Sequence, residues 1–301
     1  MLPVLFSIGQ LNVSSFGLFL ALAFLWAVFL VWRLSRAWDL DEEKILDLTL
    51  LTFLGGLTLA RIYFGIEHWS FFSADPLRLI LVNKYPGFSF WGGFLGGWLA
   101  LYFFVRRFRL DFTSVLDIAA VGFLGGLIFG DIGCLLGGCD IGVKSSFLAV
   151  TMVGAVGKRI PIQAIEAILL LLSLLKIWSK ATHFHLRGSV VAMTLIYIGI
   201  IKLLTENFKQ VHSGGYLFSL TLIIVGVTIF YKIQGGKRTP VSDLHQALLL
   251  STGLIKDKQV RNSLIQRLGK SWYNQKTAFL WKVRNFTKLL RKVNVKISPK
   301  T

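Results

Sequence analysis

The stretch "FGDIGCLLGGCDIG" (Phe129–Gly142) sets an acid, Asp131, and two cysteines, Cys134 and Cys139, in a lattice of glycines. The residues before it, "VGFLGGLI", are apolar enough to lie in a bilayer. A charge at mid-bilayer costs a few kcal/mol or more, so ionisable groups inside apolar segments are functional candidates by default. This chain has several in or near such segments: Arg61, Glu67, Asp131, Glu166, Lys202 and Glu206, with the amide Gln163 among them. Structural ion pairing is the competing reading. Arg61 is placed to pair with Asp131 or Glu166, and Lys202 and Glu206 stand four apart on one helix face. The C-x4-C spacing of the cysteines matches no common zinc ligand pair, and no metal or cofactor is expected. The cysteines read first as small buried packing residues. A disulfide near the outer face stays open, and a covalent catalytic role comes last.

Elements of one kind must position these groups. The chain has 301 residues, of which 54% are hydrophobic and only 16% charged, with a mean hydropathy of +0.65. Apolar runs of about 18–25 residues recur, each long enough to cross a hydrocarbon core of roughly 30 Å. In lipid every backbone amide must be satisfied within its own segment, so these runs predict helices, and the alternation of a β-barrel is missing. The fold class is all-α and polytopic, with seven spans at about 15–32, 45–66, 88–105, 115–136, 161–178, 188–204 and 215–233. Lys and Arg after the first, third, fifth and seventh spans put the N-terminus outside and the C-terminus in the cytoplasm. The N-terminus carries neither a basic region nor a small-residue cleavage site, so a removable signal peptide is not expected. The recurring Gly-Gly pairs suit close helix packing, or amides opened toward a phosphate.

The formal charge of +18 is a property of the tail: sixteen Lys and Arg between Lys232 and Lys300 face only Asp243 and Asp257, which leaves +14 there. Residues 1–234 therefore form a membrane domain and 235–301 a basic cytoplasmic tail. Phe279, Val283, Phe286, Leu290 and Val293 fall at alternating fours and threes, an amphipathic helix ringed by Lys and Arg. Docking on the anionic inner leaflet is the expected use, ahead of RNA or ribosome contact.

Five fragments, in order, resemble the prolipoprotein diacylglyceryl transferase family: "LARIYFGIEH", "GFSFWGGFLGG", "FGDIGCLLGGCDIG", "RIPIQAIEA" and "YIGIIKLLTENFK". The resemblance implies a seven-span enzyme of the bacterial plasma (inner) membrane. Its expected activity moves diacylglyceryl from phosphatidylglycerol to the lipobox cysteine thiol of a prolipoprotein, releasing glycerol phosphate. The partners it implies are that lipid and the prolipoprotein signal peptide. Mapped residue by residue, it gives Asp131, Glu166 and Glu206 as catalytic candidates. Arg61, Trp91, Gly92, Gly93, Asp131, Gly133, Gln163 and Lys202 become substrate-binding candidates. Departures from the family pattern are Trp91 for its histidine, Asp131 and Lys202 for two arginines, Lys209 for a later arginine, and Leu20 for a tyrosine. A charge reversal at Asp131 repels a phosphate unless another cation has moved in. The alternatives are a lipid- or signal-peptide-binding homologue without turnover, and a membrane transporter. The latter is disfavoured by the lack of internal repeats.

Overall fold

The computed structural model of the chain describes residues 4–235 apart from 9–10, 74, 83, 86, 147–148, 153–155 and 211–214, together with isolated tail positions 243, 266, 270, 273, 277 and 284. The chain divides into two compact units, 1–235 and 236–301. The amphipathic tail pattern lies outside the described residues.

Among the described residues eight α-helices build the first unit: α1 (Ser15–Ala37), α2 (Glu42–Glu67), the single turn α3 (Trp69–Phe72), α4 (Phe90–Arg107), α5 (Phe112–Gly137), α6 (Ile162–Ala181), α7 (Ser189–Glu206) and α8 (Gly215–Ile233). Each of the seven expected spans is a helix. Six, all but α3 and α4, are long and apolar enough to cross a membrane. The exception among the expected spans is α4, whose four glycines and terminal Arg106–Arg107 dilute its apolar content. Two short antiparallel pairs were not expected from the sequence: β1 (Val4–Ile8) with β2 (Leu11–Ser14), and β3 (Val150–Thr151) with β4 (Lys158–Arg159). They are too short to show a periodicity against the apolar background.

Local chemistry sets the helix starts. Ser14, Asp41 and Asp111 cap α1, α2 and α5, their side-chain oxygens accepting from Gly17 N, Lys44 N and Ser114 N. Such caps satisfy amides that the first turn leaves without partners. The turns before Asp41 and Asp111 share one design. Asp39 and Arg109 take a left-handed backbone (φ 54° and 55°), and Leu40 N and Leu110 N then bond back to Ser35 O and Val105 O. The Leu-Asp pairs at 40–41 and 110–111 are the sequence trace of this repeated turn.

Helix α5 is the hub: α1 lies along it, and α6 and α7 close on its other faces, while α2 pairs with α4 and α7 with α8. Glycines permit the close approaches. A Cβ on Gly96 would stand 2.6 Å from Gly55 O, and one on Gly92 would stand 2.5 Å from Leu59 O, so α4 touches α2 backbone to backbone. Leu34, Ile45, Val121, Leu124, Leu170 and Val190 fill the core between the helices.

Candidate functional site

Asp131 lies near the end of α5, Glu166 in the second turn of α6, and Lys202, Thr205 and Glu206 in the last turns of α7. Spacings of three and four put the α7 residues on one face, turned toward α5 and α6. Lys202 Nζ donates to Glu166 Oε2 and reaches Asp131 Oδ1 at 3.4 Å, while the Thr205 hydroxyl donates to Glu166 Oε1. Asp131, Glu166 and Glu206 are 9%, 2% and 3% exposed. Asp131 Oδ2 is buried and has no hydrogen-bond partner among the described residues. Two carboxylates thus share one ammonium, with a single carboxylate oxygen free to accept a proton.

A second set of contacts adjoins the first. Lys209 Nζ lies 3.4 Å from Glu206 and 3.2 Å from Asp140. Gln163 Nε2 donates to Asp140 O at 2.7 Å, and its Oε1 is buried without a partner. Burial alone would lower the Lys209 pKa, but the charges of Asp140, Glu166 and Glu206 outweigh it and hold the ammonium above the usual lysine value. The connecting segments are laced together by backbone pairing of Gly142 with Lys209 and of Lys144 with Arg159. The Glu206 carboxylate packs against Gly215 at the start of α8, a favourable place for a negative charge.

These contacts revise several sequence expectations. Lys202 and Glu206 do not pair with each other: Lys202 points across to α5 and α6, and Glu206 to Lys209. Neither Asp131 nor Glu166 meets Arg61 among the described residues. Buried in α2, Arg61 donates Nε to Leu79 O, one terminal nitrogen to Gly87 O and the other to Arg78 O, at 2.7–3.0 Å, with Phe64, Phe72 and Phe88 around it. It pins the segment after α3. Cys134 and Cys139 are a disulfide and not buried packing residues, with Cys139 exposed. Gly138, at φ +78°, ends α5 in a left-handed cap and turns the chain back over the last helical turn, bringing the two Cα atoms within 5.0 Å.

Of the remaining candidates, Trp91 is half exposed and meets Phe218 of α8 edge to face at 5.3 Å. Gly92 is closed against α2, Gly93 only touches Ala60, and Gly133 packs on Phe19 of α1. No hydrogen bond or ion pair joins Arg61, Trp91, Gly92 or Gly93 to the Asp131–Lys202–Glu166 group among the described residues. Thr205 and Asp140 escaped the sequence reading. Thr205 stands three after Lys202, a spacing that could have flagged it, whereas Asp140 is recruited by the disulfide turn. No group of three or more His, Cys, Asp and Glu is placed to hold a metal among the described residues.

Apolar helices of membrane-spanning length around a buried set of ion pairs define a multi-pass membrane protein with a buried charged site. The sequence model of prolipoprotein diacylglyceryl transferase matches residues 3–232. The chain belongs to that family of membrane transferases of lipoprotein biosynthesis. It is 26% identical over 253 residues to a phosphatidylglycerol–prolipoprotein diacylglyceryl transferase of Dehalococcoides mccartyi, a match covering 79% of this chain and 96% of the relative. Relatives of the same name from Idiomarina loihiensis (30% over 252 residues; 77% and 93% covered) and Aeromonas hydrophila (29% over 250 residues; 76% and 89% covered) are also similar to it.

Proposed function

We propose that this chain transfers diacylglyceryl from phosphatidylglycerol to the lipobox cysteine thiol of a prolipoprotein in the bacterial inner membrane. In this reading all seven long helices span, α4 included, with the N-terminus outside and the basic tail on the anionic inner leaflet. The observation that carries it is the buried Asp131–Lys202–Glu166 group, built from three family-motif positions on three different helices.

The thiolate is the nucleophile, so the first task is deprotonation. Asp131 Oδ2, the carboxylate oxygen without a partner, takes the thiol proton. The sulfur then forms a bond to the glyceryl carbon that carries the phosphate. The C–O bond to that phosphate breaks, and glycerol phosphate leaves with the electron pair. Lys202, tethered by Glu166, fixes Asp131 through Oδ1, and Thr205 fixes Glu166 in turn. Positioned acid–base groups of this kind contribute about 10²- to 10⁴-fold in rate. Glu206 holds Lys209 in place, and the unpartnered Gln163 Oε1 is available to a hydroxyl of the glycerol headgroup. Arg61, Trp91, Gly92, Gly93 and Gly133, on α2, α4 and α5, are assigned to substrate binding by the family resemblance of their positions.

Expression in a strain depleted of its own transferase tests the reading. Diacylglyceryl on a lipobox protein is the expected result with the wild-type chain, and its loss is expected with Asp131→Asn. Well-inserted wild-type protein that leaves prolipoprotein unmodified would instead identify a lipid-binding homologue without turnover.

A further inference from the structure

Asp131 stands where the resemblance places a phosphate-holding arginine, so another cation must do that work if the proposed reaction runs. The site's lysines are already matched: Lys202 is shared by Asp131 and Glu166, and Lys209 by Asp140 and Glu206. Arg61 is saturated by three carbonyl oxygens and three aromatic rings.

Arg159 differs from all of these. It is 7% exposed and has no carboxylate partner among the described residues. One terminal nitrogen, Nη1, donates to two neutral acceptors, Gly142 O at 3.1 Å and Gln210 Oε1 at 2.7 Å. Its Nε is buried and has no hydrogen-bond partner among the described residues. A buried charge without a counter-ion is costly, and such groups are found paired or holding a ligand. The position is also tied to the reactive group. Gln210 N bonds Ile141 O, and Gly142 pairs with Lys209, whose ammonium meets Asp140 and Glu206. The Gly142 carbonyl and the Gln210 side-chain amide oxygen hold the guanidinium through Nη1.

We propose that Arg159 is the cation for a phosphate-class anion at this site, standing in for the arginine that Asp131 replaces. The proposal rests on the transferase reading for the source of that phosphate, either the lipid headgroup or the released glycerol phosphate. A guanidinium with a free Nε presents a fork that a phosphate accepts through two oxygens, which an ammonium cannot match.

The test uses the purified full chain in detergent, as wild type, Arg159→Gln and Arg159→Lys. The ³¹P line width of glycerol phosphate, and separately of inorganic phosphate, is followed on addition of protein. In a second arm, phosphatidylglycerol in mixed micelles is the donor and KM is measured against kcat. Wild type is expected to broaden the glycerol phosphate line, and Arg159→Gln to leave it sharp. Removing a charge-assisted contact should raise KM for the lipid roughly 10- to 100-fold, with Arg159→Lys between the two. If Arg159→Gln does not insert, Arg159→Lys carries the comparison, and wild-type affinity in that variant overturns the proposal. Equal broadening by wild type and Arg159→Gln, or none by wild type, also overturns it. Broadening by wild type alone, with no lipid turnover by any variant, keeps the anion site and removes the transferase reading instead.

Discussion

At the residue scale, Asp131 finds its counter-charge on a neighbouring helix. Its Oδ1 faces Lys202 at 3.4 Å, and Glu166 and Thr205 complete the set. Restoring the family's arginine here should therefore not help. Asp131→Arg would set a guanidinium beside Lys202 and remove the free carboxylate oxygen. It is expected to abolish complementation as fully as Asp131→Ala, while Asp131→Asn lowers turnover about 10²- to 10⁴-fold. Lys209 gives a pH prediction. Its folded pKa is raised, so its contribution to stability is fully present below the unfolded lysine value of about 10.4 and is lost as pH rises through the folded value. The difference in thermal stability between wild type and Lys209→Met should stay constant from neutral pH to about pH 9 and shrink above about pH 10.4. A difference that grew with alkalinity would contradict the assignment.

At the element scale, glycines divide into those that carry helix packing and those that do not. Gly96→Ala would drive a Cβ into the Gly55 carbonyl oxygen and Leu59, at a cost of about 1–3 kcal/mol. Gly130, on the same helix as Asp131, faces nothing within 4 Å, so Gly130→Ala is expected to stabilise by about 0.5–1 kcal/mol. Denaturant unfolding in detergent distinguishes the two. A second element-level device lies toward the start of α5. Gly188, at φ +87°, opens α7 without a side chain to cap it, and the fully buried Asp117 supplies the cap from α5, accepting from Gly188 N at 2.6 Å and Val191 N at 2.7 Å. Asp117→Ala leaves both donors unpaired, at about 1–3 kcal/mol each. Asp117→Asn retains one acceptor and should cost less by the same unfolding measurement.

At the scale of the whole molecule, the family match ends at residue 232, where the basic segment begins, and the compact first unit ends at Gly235. Truncation after Gly235 is expected to leave membrane insertion and complementation intact. The isolated segment 236–301 should bind vesicles containing anionic lipid and not neutral ones, since each Lys or Arg near such a surface contributes about 1 kcal/mol. Binding indifferent to lipid charge would remove the leaflet-docking role. The hydrophobic pattern alone located all seven long helices to within a few residues. A helix in an apolar medium must satisfy its own backbone, and its length is set by the bilayer. The site was legible only in part. Asp131, Glu166, Lys202 and Glu206 declared themselves as charges in apolar segments. Their pairing did not, because a side chain's partner depends on helix rotation and crossing, which spacing along one chain does not encode. Lys202 turned from the residue on its own helix to two others, Arg61 from a carboxylate to three carbonyls, and Cys139 from packing to a disulfide. Thr205 joined the site through Glu166, far from it in sequence, and Asp140 through Lys209 and a turn that spacing does not reveal. Composition and periodicity determined that this chain is a bundle of membrane-length helices carrying buried charge. Only the tertiary structure decided which charges neutralise one another and which guanidinium has no carboxylate beside it among the described residues, because that balance is struck across helix interfaces.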